Sequence, residues 1–470
     1  MLRIGKLLAT VLIVLVLTLY FGRAFDARRM PSLGPEHIVE FDNEFRASAE
    51  DETNWADYLA IERSLTIELG EKIPSSSRRG SPVDRYFADS LTSPDSHPGN
   101  WNHSFEATVP SPRGVAVLLH GLTDSPYSML ATAQTMAGAG YNVVAPRMPG
   151  HGFAVGGLLQ ARGEDWAAAV RVAIRHAKEL PGADQSLVLV GYSNGGLLAI
   201  DYALQCDSLP ELPCPDGLVL MSPGIEITRA AAVMNWHAAM SWIPYFRQFK
   251  WLSSLPEIDP FKFTSFPKQA AWEVHKISSR VHKQLADPDK AESLPPILTF
   301  QSAVDYTVKV SAIVTTLYER LPANGSELVL YDVNRNSTML YLMKSWPDDP
   351  VGTFASMAPL DFGVTVLRNR SDATNAIDTV SLSAGDVEPD FEETVLRWPT
   401  QIYSLSHIAI PFRPDDVLYG DSSILGSAAP RGERGVMLLS PDYFLRAHYN
   451  PFFTFQARFL ANWLGELTSR

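Results

Sequence analysis

The stretch Gly191-Tyr192-Ser193-Asn194-Gly195 follows four aliphatics, Leu187 to Val190, and runs into Gly196-Leu197-Leu198-Ala199-Ile200. The aliphatic run reads as a buried strand and the residues after Gly196 as the start of a helix. A serine at such a corner is forced into a tight turn, with glycines where a side chain would strike the neighbouring strand or helix. Its hydroxyl then stands clear of a sheet, beside the positive end of a helix dipole. Five residues alone would equally fit a glycine-rich turn with an incidental serine. If Ser193 is a nucleophile, the chain must also supply a base to take its proton and an acid to orient that base.

The acid should come next in the chain and the histidine after it. Asp305 comes right after the run Ile297-Leu298-Thr299-Phe300-Gln301-Ser302-Ala303-Val304 and is the expected acid. Asp332, at the end of the run Glu327 to Val333, is the competitor, while Asp287 and Asp289 precede the first of these runs. Of eleven histidines, only His407 and His448 lie beyond the acid. His407 sits in a polar turn before an apolar stretch, whereas His448 abuts a final helix, where packing or capping is the common role. His407 is the expected base. The negative charge forming on an attacked carbonyl oxygen needs fixed neutral donors, which backbone N–H groups supply. Asn194, directly after the serine, offers one. Leu122, after the sharp turn that Gly121 permits, offers the other. His120 and His151 are then structural.

These residues need a scaffold that gathers them. From Gly114 onward the chain repeats strand, turn and helix. Strands are expected at 115–121, 141–146, 187–190, 217–224, 296–305 and 327–333, with an amphipathic helix at 164–180. Strands too far apart for hairpins imply an α/β domain: a mostly parallel sheet with helices on both faces. His120, Ser193 and Asp305 all stand at the carboxyl ends of strands, where such sheets place their sites. Two stretches interrupt the rhythm. Residues 225–290 are rich in Trp and Phe and read as a cap, and 334–400 are polar and read as a loop-dominated insertion. Residues 25–113 form an extension, helical over 50–73, with one or two outer strands in 83–110. The organisation expected is therefore 1–24, 25–113 and a core at 114–470.

Composition narrows the class of partner. At 470 residues, 46% hydrophobic and 19% charged, the chain can bury a large core, and its net charge of −13 argues against nucleic acid. Arg3 and Lys6 precede fifteen uncharged residues, 7–21, short for a bilayer helix. We read them as an export signal retained as a membrane anchor, with cleavage after Gly22-Arg23-Ala24 as the alternative. Cys206 and Cys214 read as a local disulfide in an exported chain, or as free thiols in a cytosolic one. Two cysteines make no thiolate metal site, and no metal-binding motif is present. No metal and no cofactor are expected.

The segments "LLHGLTDSP", "PRMPGHG", "GYSNGG", "SAVDYTV" and "LSHIAIPF" together resemble the α/β-hydrolase fold family, in its monoacylglycerol-lipase and serine-lysophospholipase-like branch. The resemblance implies Ser193, Asp305 and His407 as catalytic triad, Leu122 and Asn194 as oxyanion hole, and 225–290 as cap. It implies a serine hydrolase of carboxylic esters, with lipid or small-molecule esters as substrates. Thioesterase, amidase and acyltransferase activity would share that site. An inactive envelope-binding protein is the contrasting reading, and the filled triad positions give it no motive.

Overall fold

The computed structural model describes residues 28–74, 83–182, 184–226, 244–305, 308, 310–333, 335, 349–400, 402, 404–421, 423, 427–428 and 446–469, with isolated positions from 11 to 25. Its strands are β1 (Phe105–Ala107), β2 (Gly114–Leu119), β3 (Tyr141–Ala145), β4 (Leu187–Tyr192) and β5 (Gly217–Met221). Next come the short pair β6 (Trp251–Ser253) and β7 (Phe266–Pro267), then β8 (Ile297–Ser302) and β9 (Glu327–Asp332). The last of the set are β10 (Gly363–Asn369), β11 (Ile377–Leu382) and β12 (Asp390–Glu392).

Ten of these form one sheet in the order β1-β3-β2-β4-β5-β8-β9-β10-β11-β12. Pairing is parallel from β3 to β10 and antiparallel at both ends. β2, β4 and β5 are buried along their whole length, as their unbroken aliphatic runs require of strands covered on both faces. Leu187, Leu189, Leu218, Leu220 and Leu330 pack on one face with the helices Gly163–Ala177, Asn194–Ala203 and Lys268–Leu285. Val188, Val190, Val219, Met221 and Phe300 pack on the other with the helices Leu130–Gly138 and Phe453–Leu467. Each such fully buried side chain contributes about 1.5–3 kcal/mol. The α/β layering expected from the alternating rhythm is therefore present.

The structure specifies three regions further than the sequence reading. Among the described residues of 334–400, expected as a loop-dominated insertion, β10, β11 and β12 extend the main sheet beyond β9. Thr, Asn, Asp and Arg interleave with the aliphatics of β10 and β11, so these strands have low hydrophobicity and gain their order from pairing. The outermost strand β12 is exposed and carries Asp390 and Glu392, charges that discourage further edge pairing. The region 83–110 supplies one outer strand of three residues, β1. Within 225–290, the helix Lys268–Leu285 packs on the helix Asn194–Ala203 as a connection between β5 and β8, and residues 227–243 lie outside the described residues.

No described helix is long and apolar enough to cross a membrane, and the apolar run 7–21 lies mostly outside the described residues. The anchor expected there has no structural support. Cys206 and Cys214 are joined as a disulfide across eight positions.

The extension is bound to the core through charge. Its helix Trp55–Lys72 begins at Asn54, whose side chain accepts from the Asp57 N–H. Arg147, fully buried after β3, donates to both Glu44 oxygens (2.8 and 3.0 Å) and to Glu62 (3.3 Å). The Nη1 that meets Glu44 also reaches the Met148 and His151 carbonyls. A buried guanidinium so completely paired holds the 146–152 turn in one shape.

Candidate active site

Ser193 lies between β4 and the helix Asn194–Ala203 with φ 53° and ψ −112°. A non-glycine residue in that region is strained and persists only where its surroundings leave no alternative. The surroundings are explicit. A Cβ on Gly195 would lie 2.0 Å from the Leu119 carbonyl oxygen, and one on Gly191 would lie 2.5 Å from the Gly195 backbone. The Ser193 N–H donates to Met221 (2.9 Å) and its carbonyl accepts from Gly224 (2.9 Å) and Leu197 (3.2 Å). The corner is thus stitched to the end of β5 and to its own helix, and Ser193 remains half-buried.

Asp305 follows the end of β8, and its carboxylate is almost fully buried. Its Oδ2 accepts from Gln301 Nε2 (2.9 Å) and its Oδ1 from the Val308 N–H (3.0 Å). His407 opens a short helical turn, His407–Ala409, after Ser404–Leu405 pairs with Arg446–Ala447. Ser406 Oγ donates to the Ala447 carbonyl (3.1 Å), and Leu405, Ala409 and Ile410 are buried on the helix 453–467 side of the sheet. His407 Nδ1 comes 4.0 Å from Asp305 Oδ1. Contacts of this kind are often long without substrate and tighten when it binds. The competitor Asp332 is engaged elsewhere: it pairs with Arg335, and burial raises its pKa against that cation.

The loop after β2 is held from beneath by His120. Its Nε2 accepts from the Met148 N–H (2.9 Å), so Nδ1 carries the proton and donates to the Gly121 carbonyl (2.9 Å). Burial pushes the His120 pKa well below its usual value, with His151 and Arg147 adding to the effect, so the ring stays neutral. In a trans peptide the carbonyl and the next N–H point opposite ways. With the Gly121 carbonyl bound to His120, the Leu122 N–H is directed away from that ring. His151 is likewise buried and neutral, pushed down to about 3 mainly by desolvation.

Sequence reasoning passed over the residues that brace this loop. Asp124 is buried and accepts from Lys262 Nζ at 2.7 Å, and the Phe263 N–H donates to the Thr123 carbonyl at 2.7 Å. Neither Lys262 nor Phe263 sits in a recognisable motif, and 138 positions separate Lys262 from Asp124. Of the large apolar residues in 225–290, Met234, Trp236, Met240 and Trp242 lie in the stretch outside the described residues. Phe246, Trp251, Phe261 and Phe263 are buried, packing on Phe249, His37, Tyr127 and the Arg85 guanidinium respectively. A cavity of about 650 Å³ is lined by His37, Lys72, Gln160 and Trp251, and by none of Ser193, Asp305 and His407.

Residues 110–335 match the family described as Serine aminopeptidase, S33. A thermostable monoacylglycerol lipase from Bacillus sp. (strain H-257) is 33% identical over 124 residues, 26% of this chain and 46% of that lipase. The chain thus spans less than half the length of that curated relative. Among solved structures, the Paleococcus ferrophilus monoacylglycerol lipase is 21% identical at a TM-score of 0.37, the match covering 48% of this chain and 87% of that one. A soluble variant of the Saccharomyces cerevisiae monoglyceride lipase is 15% identical at a TM-score of 0.37, covering 48% and 81%. Residues 110–335 are thus similar to a hydrolase family, and 124 residues of the chain are similar in sequence to a monoacylglycerol lipase.

Proposed function

We propose that this hydrolase cleaves carboxylic esters of lipid-like or small alcohols through an acyl-enzyme on Ser193. The observation that carries the reading is the strained φ of Ser193 at a strand-to-helix corner packed by Gly191 and Gly195. Ser193 Oγ attacks the acyl carbon while His407 Nε2 takes the hydroxyl proton. Asp305, anchored by Gln301 and the Val308 N–H, accepts from His407 Nδ1–H and stabilises the imidazolium. The N–H groups of Leu122 and Asn194 receive the oxyanion. Collapse of the tetrahedral species breaks the bond to the alkoxy oxygen, which leaves with the proton from His407. Water then repeats the sequence on the acyl-enzyme, releasing the acid and restoring Ser193.

The test is turnover of p-nitrophenyl esters from acetyl to palmitoyl by the wild type and Ser193→Ala, with thioesters and aminoacyl p-nitroanilides alongside. The expected result is ester turnover that Ser193→Ala abolishes while the far-ultraviolet circular dichroism spectrum is unchanged. Turnover surviving in that variant refutes the mechanism.

We further propose that the chain is exported and held at a membrane by residues 7–21. The apolar run behind Arg3 and Lys6 supports this, as does the Cys206–Cys214 disulfide, a bond that persists in oxidising compartments. Extraction of the full chain from membranes by carbonate, as from a peripheral protein, would overturn it.

A further inference from the structure

The loop that carries Leu122 does not hold its shape by itself. Thr123 sits at φ +67°, in the left-handed region that a β-branched residue avoids. Asp124 places a buried carboxylate under the turn: a Cβ added to Gly121 would lie 2.6 Å from Asp124 Oδ2. The Asp124 N–H also donates to the Gly121 carbonyl at 3.2 Å, closing the turn that His120 braces from below. A desolvated carboxylate at that position costs free energy unless a cation meets it. The cation is Lys262 Nζ, 2.7 Å from Asp124 Oδ1, and it arrives from the segment between β6 and β7.

That segment is itself anchored. Asp259 accepts from the Phe261 and Lys262 N–H groups (2.9 and 3.0 Å) and from the Tyr419 hydroxyl (2.7 Å). Phe261 stacks on Tyr127 at 4.5 Å, and Tyr127 donates to Asp416 at 3.0 Å. Arg85 donates to the Lys262 carbonyl and lies over the Phe263 ring. The Phe263 N–H then reaches the Thr123 carbonyl. Two adjacent residues thus grip two adjacent residues of the loop, one by charge and one through the backbone.

We propose that Lys262 is a positioning residue for hydrolysis: by holding Asp124 beneath Gly121 it keeps the Leu122 N–H aimed at the oxyanion. The inference rests on the reading of Ser193 and Leu122 given above. It makes the seating of residues 257–265 a condition for turnover rather than a matter of substrate affinity. When Lys262 is removed, the buried carboxyl either takes up a proton or swings toward water, and the turn above it loses its support. Ground-state binding, which does not use the oxyanion donors, is left in place.

The experiment compares Lys262→Met, Lys262→Arg, Asp124→Asn and the double variant Asp124→Asn/Lys262→Met in the full chain, with active sites counted by a serine-directed phosphonate. A missing oxyanion donor costs roughly 100- to 1,000-fold, and a misaimed one part of that. Lys262→Met is expected to lower kcat about 10- to 100-fold with KM within about twofold. A trifluoromethyl ketone, whose hemiketal oxygen needs the same donors, should lose affinity by a like factor. Lys262→Arg should restore kcat to within a few-fold of wild type, and the double variant should be no worse than the poorer single one. A Lys262→Met enzyme with kcat within twofold of wild type overturns the inference, as does a loss confined to KM. If Lys262→Met does not fold, Asp124→Asn decides by the same criteria. Turnover that persists in Ser193→Ala removes the underlying reading instead, and this inference with it.

Discussion

Gly195→Ala is the substitution for which the structure sets the largest penalty from the smallest change. The added methyl would lie 2.0 Å from the Leu119 carbonyl oxygen, 2.5 Å from its carbon and 2.8 Å from the His120 carbonyl oxygen. The first contact is roughly 1.3 Å short of the ~3.3 Å at which a carbon meets a carbonyl oxygen. All three atoms belong to the backbone at the end of β2, so no side-chain rotation relieves the clash. Either the helix Asn194–Ala203 or the end of β2 must move by about an ångström. Overpacking of this kind costs about 3 kcal/mol or more, and a misplacement of about 1 Å in a reacting group costs about 100-fold in rate. Gly70, exposed within the helix Trp55–Lys72, is the control, because a Cβ there meets nothing within 4 Å. Gly70→Ala should stabilise by about 0.5–1 kcal/mol with kcat unchanged. Urea unfolding followed by tryptophan fluorescence and kcat on a p-nitrophenyl ester give both quantities. Gly195→Ala within 1 kcal/mol of wild type and with full kcat would refute the steric account of the corner.

Asp305→Asn should lower kcat about 10⁴-fold, because an amide facing His407 Nδ1 favours the wrong tautomer. Asp332→Asn, facing Arg335, should keep kcat within a few-fold; the reverse ranking in a kcat comparison of the two variants would exchange the acids. Stability should fall as the medium is acidified. His120 and His151 have folded pKa values below the unfolded value of 6.5, so above pH 6.5 neither contributes. Below it the unfolded chain binds protons that the folded chain refuses, and for His151 the loss grows until about pH 3. By pH 5 this amounts to roughly 2 kcal/mol for His151, and His120 adds a loss of the same sign. His151→Gln should shrink the loss of unfolding free energy from urea titrations between pH 7 and pH 5 by about 2 kcal/mol, and an unchanged loss would count against a neutral buried His151.

The chemistry-bearing corner is legible in the chain because its cause is local. A buried strand, a serine and three glycines state a steric requirement within ten residues, and Ser193 takes the strained φ that requirement implies. The alternating strands and helices are legible for the same reason, since uninterrupted aliphatic runs such as Leu187 to Val190 need cover on both faces. β10 and β11 are not, because their residues alternate polar and apolar, and only pairing with β9 decides that they extend the sheet. Chain order and strand-end placement favour Asp305 with Asp332 as competitor, yet the choice depends on where each carboxylate points, toward His407 or toward Arg335. The brace of Lys262 on Asp124 lies wholly beyond sequence reasoning. A lysine and an aspartate 138 positions apart carry no mutual pattern. They become a pair only when the sheet brings the ends of β2 and the β6–β7 segment together and excludes water from the carboxylate. Local sterics and periodicity are written in neighbouring residues, while charge pairing and catalytic aim are set by distances that exist only once the sheet has formed.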